Sequence, residues 1–206
     1  MPERDNWNER WKPGNVGGWD IGRPDFNLID IVTHRPIQNW RALEVGCGSG
    51  DNAMWLAQRG FSVIGVDIAE NAIQKAREKL SNTGLDCTFH LADFMDREVA
   101  GAPFGFVFDR GCFHSFDLEE QRKQFAKNVY SILEDGGLWL SLIGSADDPP
   151  RDVGPPRRSA EDIATAVESN FEILMLKTSH FESNSSRPPR AWVCLMQKRT
   201  QCDSAE

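Results

Sequence analysis

Three alternating glycines, Gly46-Cys47-Gly48-Ser49-Gly50, follow the short apolar run Arg41–Val45 and lead straight into the helical pattern Asn52–Gln58. No other stretch restricts the fold as much. A strand that must turn at once into a helix beside a ligand needs residues without Cβ, which take positive φ and let the backbone come close. The helix that follows brings its unsatisfied N–H groups to the same place.

The chain downstream repeats the strand-then-helix order. Phe61–Asp67 is β-branched and almost continuously apolar, as a buried parallel strand would be. Ala69, Ala72, Ile73, Ala76 and Leu80 form a helical stripe that ends near Gly84. Thr88–Ala92, leading to Asp93, and Phe104–Asp109 read as further strands. Leu118, Phe125, Val129 and Ile132 mark another helix face, which Gly136-Gly137 breaks before the strand Leu138–Ile143. Strands alternating with helices predict an α/β fold, an open parallel sheet covered on both faces. Upstream, Pro24–Thr33 reads as a helix with Phe26, Leu28, Ile29 and Val32 inward, Pro24 in its first turn and Pro36 beyond its end.

The last quarter differs. Pro149, Pro150, Pro155 and Pro156 make residues 147–158 a loop. Ser159-Ala160-Glu161-Asp162 reads as a capping box that opens a helix with Ile163, Ala166 and Val167 inward. Phe171–Leu176 and Ala191–Met196 have no helix between them and should pair antiparallel through the polar loop Ser183–Pro189, with 199–206 as a frayed tail. At the other end, Trp7, Trp11 and Trp19 stand in a Gly- and Pro-rich segment, residues 1–24. So much aromatic surface must lie over something, either as a plug at the core edge or as a lid over a ligand.

At 206 residues the chain fits one domain. Its 23 Lys plus Arg against 31 Asp plus Glu give a formal charge of −8 with no basic block, which argues against a nucleic-acid partner. No apolar run approaches the roughly 20 residues of a membrane span, and Met1-Pro2-Glu3-Arg4-Asp5-Asn6 is no signal-peptide core. Cys47, Cys87, Cys112, Cys194 and Cys202 are scattered without a C-x-x-C pair, so neither a disulfide framework nor a metal site is expected. Reduced thiols in a cytoplasmic protein are the expectation.

Ligands on such sheets sit beyond the carboxyl ends of the strands. Those ends deliver the three glycines, then Asp67, Asp93 and Asp109. Singly, each carboxylate reads as a helix cap or loop acid; together with the glycines they form a constellation. Asp67 stands about twenty positions after Gly46, where an acid accepts from ribose hydroxyls of any adenosine-type cofactor. Dinucleotide binders use G-x-G-x-x-G, whereas here the third glycine comes one residue early. Glu44 and Asp51 flank the turn, disfavour a pyrophosphate at the helix start and suit an ammonium or sulfonium ligand.

The stretches Glu44-Val45-Gly46-Cys47-Gly48-Ser49-Gly50, Asp67, Ala92-Asp93-Phe94, Asp109-Arg110-Gly111 and Leu133-Glu134-Asp135-Gly136-Gly137 resemble the successive motifs of class I S-adenosylmethionine-dependent methyltransferases. The resemblance spans about 40–143 and, with the terminal strand pair, most of the chain. It implies a Rossmann-like three-layer sandwich whose seven strands run 3-2-1-4-5-7-6, the last antiparallel, with S-adenosylmethionine as cofactor. In that arrangement Gly46, Cys47, Gly48 and Gly50 curve under the methionine part and Glu44 orients it. Asp67 takes the ribose, with Ile68 against the adenine. Asp93 accepts from the adenine amino group, with Phe94 alongside, and the backbone at Asp109-Arg110 holds the methionine ammonium. Trp7-x3-Trp11 and Gly18-Trp19-Asp20-x-Gly22-x-Pro24 further resemble the N-terminal signature of thiopurine and thiol or halide S-methyltransferases, which implies that Trp11 and Trp19 belong to a lid. The glycine motif itself is more similar to the general small-molecule and tellurite-resistance type.

A small-molecule methyl acceptor would then meet residues 110–115. There His114 is either a base for the acceptor or a hydrogen-bonded structural imidazole, and Cys112 either packs or reacts. Arg157 and Arg158 either meet an anionic acceptor or face solvent. Two rivals stand beside methyl transfer: a nicotinamide-dependent oxidoreductase and a catalytically idle cofactor-binding module.

Overall fold

The computed structural model describes residues 4–12, 14–35, 37, 41–96, 99–150 and 154–200. Pro36, Cys202 and positions 201–206 of the expected tail lie outside the described residues. In chain order the elements are α1 (Arg4–Arg10), α2 (Phe26–His34), β1 (Arg41–Val45), α3 (Asp51–Gln58), β2 (Ser62–Asp67), α4 (Glu70–Leu80), β3 (Cys87–Leu91), β4 (Phe104–Arg110), a 3-10 turn (Phe113–Ser115), α5 (Glu119–Ile132), β5 (Leu133–Gly144), α6 (Ala160–Val167), β6 (Phe171–His180) and β7 (Arg190–Lys198).

The seven strands form one sheet of order β3-β2-β1-β4-β5-β7-β6. β1 pairs parallel with β2 and β4, while β7 runs antiparallel to both β5 and β6. The central strands are apolar on both sides, and their side chains sort by parity. Phe106 and Phe108 of β4, Leu140 and Leu142 of β5, and Val193 and Leu195 of β7 join Leu28, Ile31, Ala53, Leu56, Ile73 and Ala76 under α2, α3 and α4. Val107, Trp139, Ile143, Cys194 and Met196 join Phe125, Val129, Ile163 and Val167 under α5 and α6. The result is the three-layer sandwich that the resemblance implies.

Several local expectations shift. Pro24 precedes α2 rather than opening it, because Asp25 is the N-cap and accepts from Asn27 N–H. α5 ends at Ile132, and β5 begins at Leu133, so the Gly136-Gly137 pair lies inside the strand. Among the described residues no helix separates β3 from β4, so the strict alternation lapses there. β6 extends to His180, four residues past its expected end. The capping box at Ser159 forms as expected, Asp162 N–H donating to Ser159 Oγ at 3.1 Å and Ser159 N–H to Asp162 Oδ2 at 2.8 Å.

Candidate active site

β1 ends at Val45 and the chain turns through Gly46, Gly48 and Gly50, all at positive φ (69°, 53° and 82°), into α3. At Gly48 the glycine is required twice over. Besides its φ, a Cβ there would come within 2.8 Å of the Trp11 indole.

Four N–H groups of this turn are already engaged. Gly46 and Cys47 N–H donate to Val66 O at 2.8 and 3.0 Å, and Gly50 N–H to Cys47 O at 2.9 Å. Gly48 N–H donates to Asp67 Oδ2 at 2.9 Å, and Ala69 N–H to Asp67 Oδ1 at 2.8 Å. Glu44, buried on the α3 side of β1, accepts from Ala53 N–H at 2.9 Å and Asn52 Nδ2 at 2.8 Å. A pyrophosphate is held by free N–H groups at such a turn; here carboxylates and carbonyls take those of Gly46, Cys47, Gly48, Gly50 and Ala53.

This finding replaces the electrostatic argument made from the sequence. Asp51 is no free negative charge, since Lys79 Nζ donates to its two oxygens at 2.9 and 2.8 Å and to Ser49 Oγ at 2.8 Å. Ser49 Oγ in turn donates to Asp20 Oδ1 at 2.6 Å, and Asp20 is also paired with Lys75. Burial raises the Glu44 carboxyl to about 8 against the pull of its two hydrogen-bond donors. The acids beside the turn therefore brace it more than they offer charge. Lys75 and Lys79, one turn apart on α4, were not singled out from the sequence, although their i, i+4 spacing was the available signal.

The other strand-end residues divide by orientation. Asp109 shares a face with Val107, so its carboxylate points into the α5 core. There it accepts from Cys112 N–H (3.1 Å), Phe113 N–H (3.0 Å) and Trp139 Nε1 (2.9 Å), and burial lifts it to about 6. Phe94 is buried with its ring 5.0 Å from Phe125, so its ring turns away from the site and only backbone remains to line it. The Cys47 side chain likewise packs in the α2/α3 core. Asp93 Oδ1 accepts from Met95 N–H at 2.9 Å, and Ile68, beside Asp67, is half-buried.

Arg110 joins three segments at the end of β4. Its Nε donates to Asp25 Oδ2 at 2.8 Å, and its two terminal nitrogens donate to Trp19 O at 3.1 Å and Glu182 O at 2.6 Å. The N-terminal segment and the β6–β7 connection are thus tied to the end of β4. Trp7, Trp11 and Trp19 meet edge-to-face, with centroids 6.1 and 6.3 Å apart. With Val16 the first two pack on Ala69 and Ala72 at the start of α4, in a cluster separate from the two cores. Asn8 fastens this segment, accepting from Asn71 N–H and Nδ2 at 2.9 Å each.

His114 is buried, and Gly144 N–H donates to its Nδ1 at 2.7 Å. Cys112 is half-buried, and burial with nearby carboxylates holds its thiol well above the ordinary value, which favours packing over reaction. Arg158, half-buried, donates to Phe116 O at 3.0 Å and Asp117 Oδ1 at 2.8 Å, whereas Arg157 is exposed and donates to Asp148 O at 2.7 Å.

Residues 42–137 match the model of the methyltransferase domain family. Thiocyanate methyltransferase 1 of Brassica oleracea is 30% identical over 171 residues, 80% of this chain and 74% of that protein. The chain belongs to the class I S-adenosylmethionine-dependent methyltransferases. A 2-heptyl-1-hydroxyquinolin-4(1H)-one methyltransferase of Mycobacteroides abscessus is 27% identical over 154 residues, covering 74% of this chain and 67% of that protein. Among solved structures, one described for the conversion of a disulfide bond into a thioacetal group during echinomycin biosynthesis superposes with a TM-score of 0.79 at 24% identity, over 91% of this chain and 86% of that one. Magnesium protoporphyrin IX methyltransferase of Synechocystis PCC 6803, solved with S-adenosylmethionine bound, gives 0.66 at 17% identity, over 84% and 76%. The methyltransferase is an enzyme whose cofactor is S-adenosylmethionine. Its glycine turn, with the N–H groups of Gly46, Cys47, Gly48 and Gly50 engaged within the fold, offers the pyrophosphate of a nicotinamide nucleotide few donors.

Proposed function

We propose that the chain methylates a small nucleophile of the thiol, thiopurine, halide or metalloid kind. The observation that carries this is the Arg110 junction, which ties the tryptophan segment and the start of the β6–β7 connection over the end of β4. Segments fastened over the strand end suit a small acceptor better than a nucleic acid or protein side chain. The relative named for thiocyanate, aligned over 80% of the chain, supports the same class.

In this reading the bound cofactor supplies an electrophilic methyl group on a sulfonium. Asp67 and Asp93 orient its ribose and adenine through lone pairs that the backbone donors leave available. The backbone of Gly46–Gly50 and of Asp109-Arg110 lines its methionine end, with Ile68 and the Phe94 backbone flanking the adenine. Trp11 and Trp19 act as a lid that excludes water and aligns the acceptor in line with the scissile bond, where most of the acceleration arises. Free thiols at Cys47, Cys87, Cys112 and Cys194 agree with work in the cytoplasm.

The test is a screen with methyl-labelled cofactor against thiocyanate, iodide, an aromatic thiol, tellurite and a hydroxyquinolone. Transfer to the sulfur, halide or metalloid group is the expected result. Exclusive transfer to the hydroxyquinolone oxygen would overturn the acceptor class, and tight cofactor binding without any transfer would favour an idle binding module.

A further inference from the structure

His114 sits in the 3-10 turn Phe113–Ser115, between the ends of β4 and β5. Gly144 N–H donates to its Nδ1 at 2.7 Å. A ring nitrogen that accepts from an amide carries no proton, so the neutral imidazole holds its hydrogen on Nε2. That nitrogen lies against Gly111, the first residue past β4. Gly111 has φ +86°, and a Cβ there would stand 3.0 Å from Nε2. Only glycine both adopts this turn and places no Cβ against Nε2.

The charges around the ring act in one direction. Arg110 at the end of β4 and Arg158 after β5 both disfavour an imidazolium, and burial does so more strongly, which lowers the pKa to about 3. The neighbouring acids are committed elsewhere. Asp109 accepts from Cys112, Phe113 and Trp139, Asp117 from Arg158, and Glu182 from Arg23. On α5, Arg122 donates to Phe116 O and Asp117 O at the far end of the turn. Phe181 covers one edge of the ring, its centroid 5.8 Å away.

We infer that His114 meets the methyl acceptor as an Nε2–H hydrogen-bond donor, not as a general base, so that the acceptor reacts as an anion formed before it binds. This rests on the methyl-transfer reading. The acceptor's lone pair forms the bond to the methyl carbon as the carbon–sulfur bond breaks and its pair returns to sulfur. One negative and one positive charge are consumed, and no proton enters or leaves the protein. Because the acceptor's charge fades along that path, the His114 hydrogen bond is strongest before reaction. It is a positioning contact, and its loss should raise KM more than it lowers kcat.

Two measurements test the inference. With 15N-labelled imidazoles, the protein without cofactor should show one histidine, absent in His114→Gln, with Nε2 protonated and Nδ1 bare from pH 5 to 9. With an alkyl thiol (pKa about 8.5) and a phenol (pKa about 10) as acceptors, the rising limb of the wild-type rate should follow each acceptor's own pKa. His114→Gln, whose amide can accept from Gly144 and still donate, should keep kcat within about threefold, whereas His114→Phe should raise acceptor KM roughly tenfold or more. A limb shared by both acceptors and lost in His114→Gln, or a proton found on Nδ1, would overturn the inference. Absence of transfer to every acceptor would instead count against the methyl-transfer reading, while the tautomer measurement would still decide the donor assignment.

Discussion

Arg110 and Asp25, 85 residues apart in the chain, meet as an ion pair from Nε to Oδ2 at 2.8 Å, with Asp25 fully buried. Asp25 also caps α2 and accepts from Glu182 N–H at 2.9 Å, while its own N–H donates to Asn52 Oδ1 at 2.9 Å. Asn52 reaches Glu44, so one chain of hydrogen bonds runs from β1 beside the glycine turn to the Arg110 junction. Removing one member of a buried pair strands the other charge and costs about 3–5 kcal/mol. Asp25→Ala should therefore lose about that much in urea unfolding, and slightly more than Arg110→Ala because a helix cap goes with it. The double variant should lose clearly less than the two single losses added together.

The three tryptophans should respond unequally. Trp11 is buried on Gly48, whereas Trp19 is 36% exposed. Trp19→Ala should leave the melting temperature of the cofactor-free protein within about 2 °C, since exposed substitutions change stability by less than roughly 0.5 kcal/mol. Titration calorimetry with S-adenosylhomocysteine should nonetheless show weaker binding. Trp11→Ala should lower both, by about 1–3 kcal/mol in stability. Equal melting losses for the two variants would make the segment a fixed plug.

What could be read in advance was what is local. The strand runs, the glycine turn and the Ser159 capping box depend on neighbours a few residues away, and they form as expected except that β5 starts earlier and β6 ends later. Among the carboxylates at the strand ends, Asp109 turns its side chain into the α5 core. Parity alone would have corrected Asp109, since it shares a face with Val107, under Trp139, while Phe106, Phe108 and Arg110 share the other. The Asp25–Arg110 pair and the Lys79–Asp51 contact join segments whose closeness only the sheet order creates, and no spacing in the sequence announces them. The two readings of His114 differ by one backbone donor, Gly144, thirty residues on.

The capping box offers a local check on α6. Ser159 and Asp162 exchange hydrogen bonds, and Asp162 also accepts from the buried Arg122 at 3.2 Å. Ser159→Ala should cost about 1 kcal/mol. Asp162→Ala should cost more in the same denaturant titration, because it also strips the carboxylate partner from Arg122.

Glu44 gives a pH dependence whose sign is fixed by its burial. Its carboxyl ordinarily titrates near 4.5 and is raised to about 8 in the folded protein, first by desolvation, against the Asn52 and Ala53 hydrogen bonds. Between these values the folded state keeps a proton that the unfolded chain has released, so unfolding free energy falls as pH rises. Its contribution is complete below pH 4.5 and has gone once pH passes about 8. His114 acts oppositely and lower down: depressed to about 3 from 6.5, it withdraws stability as pH falls through that interval. Asp109, raised to about 6 from 3.8, adds to the Glu44 slope only at its acid end. The difference between wild type and Glu44→Gln isolates the first group. Glu44→Gln keeps an acceptor for Ala53 N–H but cannot ionise, so its stability relative to wild type should climb steadily from pH 5 to 8. Chemical denaturation at four pH values would show it; a flat difference would mean that Glu44 is ionised in the folded protein, held by the helix start it caps.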